Sequence, residues 1–175
     1  IVVKAVAKYG AQAITASIDI KKISNGCSAW IENGKIDTGK DINDAIKYVR
    51  SLGVGEILLS SIDKDGSGEG YDENIINSIT ERIDFPIILN SGATTVEHFT
   101  YGLKQKDISA VAASNVFYFT ELSYPNFKNE LVNKGFQNLR KINLDQTYVP
   151  REPAIDRDKQ ARLLEKWDSG KFFYR

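Results

Sequence analysis

Four short runs of nearly continuous apolar residues constrain this chain most: AITASIDI (13–20), GEILLSSID (55–63), FPIILNSG (85–92) and ISAVAAS (108–114). Apart from Thr15–Ile20, where Thr, Ser and Asp interleave with Ala and Ile, they do not alternate polar with apolar residues as a strand with one wet face does. Each reads as a strand covered on both faces, the pattern of a parallel sheet. Helical spacing fills the intervals, in KDINDAIKYVRSLG (40–53), DENIINSITERI (72–83) and TVEHFTYGLKQ (95–105), and TELSYPNFKNELVNKG (120–135) follows the last strand. Residues 1–9 read as the end of a helix stopped by Gly10. The order is one helix and then βα four times, with a period of roughly 30–40 residues, which predicts an α/β fold built on a parallel sheet. One excursion interrupts it. Asn-Gly pairs at 25–26 and 33–34 flank CSAWI and predict a small hairpin after the first strand.

The chain is long enough for one domain with a substantial core, at 175 residues and 42% hydrophobic. Lys plus Arg equals Asp plus Glu, 23 each, which argues against a nucleic-acid binder. No apolar run approaches the ~20 residues of a membrane span. Cys27 is the only cysteine, so an internal disulfide is impossible, a reducing, cytoplasmic compartment is expected, and the thiol reads as structural or incidental. His98 is the only histidine and falls inside a predicted helix, so neither a zinc site of the usual kind nor any cofactor is expected. The chain opens at Ile1 within a helical pattern and lacks methionine, as a piece of a longer protein would. Residues 141–175 differ in character. Two prolines and mixed charges suggest a linker, IDRDKQARLLEKW a short helix, and the whole an extension to a barrel-like unit over 1–140.

The chemistry gathers where the strands end: Asp19 after the first, Ser60, Ser61, Asp63 and Asp65 after the second, Asn90, Ser91 and Gly92 after the third, Ser114 and Asn115 after the fourth. A parallel sheet places all these ends on one side, where such folds carry their sites. SSIDKDGSGEGYD (60–72) holds two aspartates and three glycines beyond a buried strand, more turn chemistry than a connection needs. Glycine and alanine let backbone N–H groups approach an anion, so Gly66, Gly92 and the 113–114 pair suit a phosphate. Asp19 and Asp65 suit general acid–base work. The plainer reading of each motif alone is a turn or a helix cap; four polar strand ends together favour a site.

GVGEILLSSIDKDGSGEGYD (53–72) closely resembles the GAGEILLTSIDRDGT…GYD signature of the cyclase subunit of imidazole glycerol phosphate synthase. The similarity extends over about residues 1–140 and takes in ASID at 16–19, DTG at 37–39, PIILNSGA at 86–93, VEHF at 96–99 and AVAAS at 110–114. The resemblance implies a (βα)8 TIM barrel of the ribulose-phosphate-binding kind, of which this chain covers about the second half, four βα units, plus the extension. It implies ammonia supplied through the barrel by a partner glutaminase, and cyclisation and cleavage of a ribulosyl aminoimidazole carboxamide nucleotide in histidine biosynthesis. Asp19 matches a catalytic aspartate, and Asp65 a further active-site aspartate. Ser60 stands where threonine is usual. Gly66, Ser91, Gly92, Ala93, Ala113 and Ser114 match substrate-phosphate loops, and Glu56 a carboxylate of the charged ring at the ammonia-entry mouth. Asp63 is left as a loop-shaping residue.

The chain also departs from the family pattern. The usual SGGAG reads SGATT, with Ala93 at a glycine position, and AASVFHF reads AASNVFYF, one residue longer. Paralogues found with surface-glycan genes, which resemble ammonia suppliers for sugar amidation, carry a similar lengthening. Half a barrel leaves two open sheet edges and so is expected to pair with another half-barrel, a missing one or a second copy. Three readings stand: the cyclase subunit, the glycan-locus paralogue, and an inactive phosphate-binding half-barrel.

Overall fold

The computed structural model describes residues 1–79, 83–119 and 123–140. The expected linker and helix of 141–175 lie outside the described residues. One compact unit spans Ile1–Asn115, and a second begins at Val116.

In the first unit, helix α1 (Val2–Tyr9) stops at Gly10, whose φ of +86° only glycine adopts readily and whose N–H returns to the Val6 carbonyl at 2.8 Å. A single 3₁₀ turn, Ala11–Ala13, leads into β1 (Thr15–Ile23). The expected hairpin follows as β2 (Gly26–Ile31) and β3 (Ile36–Asp41). Asp41 caps α2 (Ile42–Ser51), its carboxylate accepting the Asp44 N–H at 2.9 Å. Then come β4 (Glu56–Ser61), α3 (Glu73–Ser78), β5 (Ile87–Asn90), α4 (Val96–Leu103) and β6 (Ala110–Ala112). In the second unit, α5 (Val116–Phe119) precedes α6 (Ser123–Asn133), and Phe117 makes edge-to-face contacts with Tyr124 and Phe127.

The sheet order is β3-β2-β1-β4-β5-β6. β1, β4, β5 and β6 are parallel neighbours in chain order, and the hairpin adds two antiparallel strands at the β1 edge. Parallel strands added on one side without reversal, joined by right-handed crossovers, keep their helices on a single face. Burial agrees. Ile18, Ile20, Ile57, Leu59, Ile87 and Leu89 are buried, with Ile20, Ile57, Leu59 and Ile87 fully so. Their alternates Ser17, Asp19, Leu58, Ser60, Ile88 and Asn90 are not. One face therefore holds the core under the helices, and the other stays open. This is the asymmetry of a barrel segment seen from inside.

The elements differ from the sequence expectation in four places. β1 continues beyond Asp19 to Ile23, because Lys21, Lys22 and Ile23 pair with Ser28, Cys27 and Gly26. β3 was expected only as the far arm of the hairpin, without bounds: it is a polar edge strand with no buried residue, so no periodicity marks its extent. The last strand shortens to three residues and Val116–Phe119 turns helical. Asp72, expected inside a helix over 72–83, is the cap of α3. No helix among the described residues is long and apolar enough to cross a membrane.

Candidate functional site

Register places one residue from each parallel strand in a row at the C-terminal end of the open face: Asp19 beside Ser60, Ser60 beside Asn90, Asn90 beside Ala112. Asn90 Nδ2 donates to Ser60 Oγ at 3.2 Å. On the other side of Asp19 stands Trp30, its antiparallel partner. The indole Nε1–H donates to Ser28 Oγ at 2.9 Å, and Lys21 Nζ lies 4.9 Å from the ring centroid, within cation–π range. Below this row the open face turns apolar, with Leu58 beside Ile88 and Ile88 beside Ala110. At the foot Glu56 pairs with Thr15 and accepts its hydroxyl. Glu56 and Ser60 thus mark opposite ends of one strand, about 13 Å apart at ~3.3 Å per residue.

Beyond the row, three loops close a shallow cleft lined by Asp65, Gly66, Gly68, Ser91, Gly92, Ala93, Thr94, Ser114 and Asn115. The loop after β4 folds by positive φ at Gly66 (+74°), Gly68 (+77°) and Gly70 (+89°), so three of the turn residues are glycine for conformational reasons. Asp63 accepts the Lys22 N–H at 2.8 Å and ties this loop to β1. Two bonds tie it to the next loop: Gly70 N–H to the Gly92 carbonyl at 3.0 Å, and Thr94 Oγ1–H to the Gly68 carbonyl at 3.1 Å. The approach is so close that a Cβ on Gly92 would lie 2.3 Å from the Lys64 carbonyl oxygen. His98, from α4, accepts the Thr94 N–H on Nδ1 at 3.2 Å and packs beneath Gly70, a role in the frame of the cleft.

Ser91 is 5% exposed and its Oγ has no hydrogen-bond partner among the described residues. A buried hydroxyl left unpaired costs about 1–3 kcal/mol. The residue lines the cleft, while its hydroxyl oxygen is turned away from solvent, in phase with the buried Ile87 and Leu89.

Of the expected site residues, Asp65, Gly66, Ser91, Gly92, Ala93 and Ser114 share this cleft. Asp19 and Ser60 stand in the row at the same end of the sheet, Ala113 links β6 to the cleft without lining it, and Glu56 lies at the opposite end. Asn90 and Asn115 were named among the strand ends and Gly68 among the loop glycines, without a role; Thr94 and Trp30 were not singled out. Asn90 was within reach, since period two sets it on the Ser60 face; Trp30 was not, since its pairing with Asp19 depends on hairpin register. Among the described residues no group of three or more His, Cys, Asp or Glu side chains is placed to hold a metal ion.

Residues 1–123 match the family described as histidine biosynthesis protein. The chain belongs to that family. Its fold is the TIM barrel, and the singly wound sheet with one open face is a partial one. The imidazole glycerol phosphate synthase subunit HisF of Natranaerobius thermophilus is 39% identical over 130 residues, 74% of this chain and 52% of the relative. HisF of Clostridium botulinum is 38% identical over 135 residues (76% and 53%), and that of Sulfurisphaera tokodaii 39% over 137 (78% and 54%). The chain spans about half the length of these curated relatives.

Proposed function

We propose that this chain supplies one half of a cyclase site of the imidazole glycerol phosphate synthase type, the half that holds a substrate phosphate. The observation that carries the reading is the glycine-walled cleft at the C-terminal ends of the parallel strands, lined by Asp65, Gly66, Gly68, Gly92, Ala93 and Ser114. The backbone of Gly66, Gly92 and Ala93, with the N-terminus of α4 behind it, would favour the charge of a phosphate placed there. With the phosphate docked there, the body of the substrate extends along the sheet end past Asp65 towards Asp19. The two carboxylates then move protons between attacking ammonia, the ketose carbonyl and the departing aminoimidazole carboxamide ribotide. Ammonia from a glutaminase partner enters at the Glu56 end. The open sheet face pairs with a complementary half-barrel, residues 1–140 form the barrel part, and 141–175 are an extension. The relatives' names favour this over the glycan-locus paralogue and over a bare phosphate binder.

The test has two arms. The chain alone is titrated with inorganic phosphate, and saturable binding is expected. The chain is then combined with the complementary half of a HisF relative and assayed with ammonium and the ribulosyl nucleotide. Turnover is expected, with Asp19→Asn lowering it at least about a hundredfold. Turnover that survives Asp19→Asn unchanged would remove the catalytic assignment.

A further inference from the structure

Ser61 closes β4 and, unlike its neighbour Ser60, faces the buried side of the sheet, where it is 1% exposed. Its Oγ donates to Asp72 Oδ2 at 2.8 Å and accepts the Lys64 N–H at 3.2 Å. Asp72, 5% exposed, spends its other oxygen on α3, where Oδ1 accepts the Asn74 N–H and the Asn74 Nδ2–H, both at 2.9 Å. A cap needs one oxygen, and Asn or Ser would serve. A buried carboxylate is costly unless all its acceptor positions are used. Here the second oxygen reaches back across the loop to the residue where the loop begins.

We propose that the Ser61–Asp72 hydrogen bond is a positioning clamp: it ties the two ends of the 62–71 loop together and so fixes where Asp65, Gly66 and Gly68 stand against residues 91–94. Three glycines make this loop's ordered form entropically expensive. The cross-ties at Gly70–Gly92 and Gly68–Thr94 hold its middle to the next loop, and the clamp holds its base. Ser61 and Asp72 touch no ligand; they act through the loop. The consequence for anion affinity rests on the phosphate reading of the cleft, while the consequence for loop order does not.

The experiment compares the parent chain with Ser61→Ala, Asp72→Ser and the double variant. Three quantities are read: affinity for inorganic phosphate, amide hydrogen exchange, and the denaturation midpoint. In Ser61→Ala, phosphate affinity is expected to fall about five- to thirty-fold, a range set by one lost buried hydrogen bond. Exchange should quicken at Lys64, Asp65 and Gly70 while the amides of β4 and α4 keep their protection. Asp72→Ser, which retains a capping oxygen but has no second polar atom to reach Ser61, should show the same local loss. The double variant should be no weaker than Ser61→Ala alone, since the two residues act as one pair. Parent-level affinity and loop protection in Asp72→Ser would overturn the clamp, as would a uniform loss of protection that follows the midpoint. A parent chain that binds no phosphate, yet loses loop protection on Ser61→Ala, would keep the clamp and overturn the phosphate reading.

Discussion

Gly70 and Gly92 meet as a two-residue antiparallel bridge between loops that follow different strands, with the Gly70 N–H 3.0 Å from the Gly92 carbonyl oxygen. The bridge brings the β4 and β5 loops closer than side chains allow, and the cleft exists because both partners lack a Cβ. A Cβ on Gly92 meets the Lys64 carbonyl oxygen at 2.3 Å and Ser67 Oγ at 2.6 Å. Gly92→Ala must therefore separate the loops. It is expected to cost about 1–3 kcal/mol in urea unfolding and to weaken inorganic phosphate binding more than tenfold. Gly135→Ala serves as a control, since a Cβ there meets nothing within 4 Å and its strain at φ +98° stays in the second unit.

Acid should expose the Asp72 contribution. Burial acts to raise its pKa, but hydrogen bonds from Asn74 and Ser61, with the Lys64 charge, outweigh burial and hold it below the ordinary carboxylate value of 3.8. The folded state thus binds the proton less readily than the unfolded chain. The resulting stability is complete above the unfolded pKa and is lost as pH falls through the folded one. Urea midpoints measured downward from pH 5 are expected to fall, and to fall less steeply in Asp72→Asn. Identical acid slopes for the two proteins would contradict the assignment.

The two faces of β4 should respond differently to truncation. Ile57→Ala and Leu59→Ala remove side chains that are 0% exposed, and each is expected to cost about 2–5 kcal/mol. Leu58→Ala, on the open face, should cost about 1 kcal/mol or less in the isolated chain. The same Leu58→Ala change should weaken association with a complementary half-barrel, read by calorimetric titration of one half with the other. An Leu58→Ala loss as large as that of Leu59→Ala in the isolated chain would show that the open face is already covered.

The Cys27 thiol is 3% exposed, and burial pushes its pKa above the ordinary value, against the smaller opposing effect of a hydrogen bond with Ser78. Thiolate is the reactive form. Native protein is expected to react with a disulfide reagent only as fast as it opens, and denatured protein at the rate of a free thiol. Rapid labelling of the native chain would place Cys27 elsewhere.

The strand ends were legible because they combine two local signals, an apolar run and then glycine or a small polar residue. That pairing points to Asp65, Gly66, Ser91, Gly92 and Ser114, the family resemblance adds Ala93, and all six line one cleft. What escaped was set by partners distant in sequence. β3 has no buried residue, and its strand form comes from pairing with β2. Ser61 sits beside Ser60 in sequence yet on the opposite face, and only the fold brings Asp72 to it. Asp72 fits a helical pattern equally well as an interior residue or as a cap, so its role waited on where the loop turned.

β1 has two kinds of border along the edge away from β4. From Asp19 onward that edge is taken by the hairpin, whose pairing begins at Asp19–Trp30. Residues 15–18 pair with β4 on one side and have no antiparallel partner on the other. A further strand arriving alongside β1 therefore finds a berth only four residues deep, and the hairpin works as a dockside fender at its head. Sliding by one residue, the commonest error in joining two sheets, is blocked in one direction by covalent structure already in place. The end of that berth is Asp19, so whatever sets the depth of the joint also sets how far an incoming strand stands from the carboxylate.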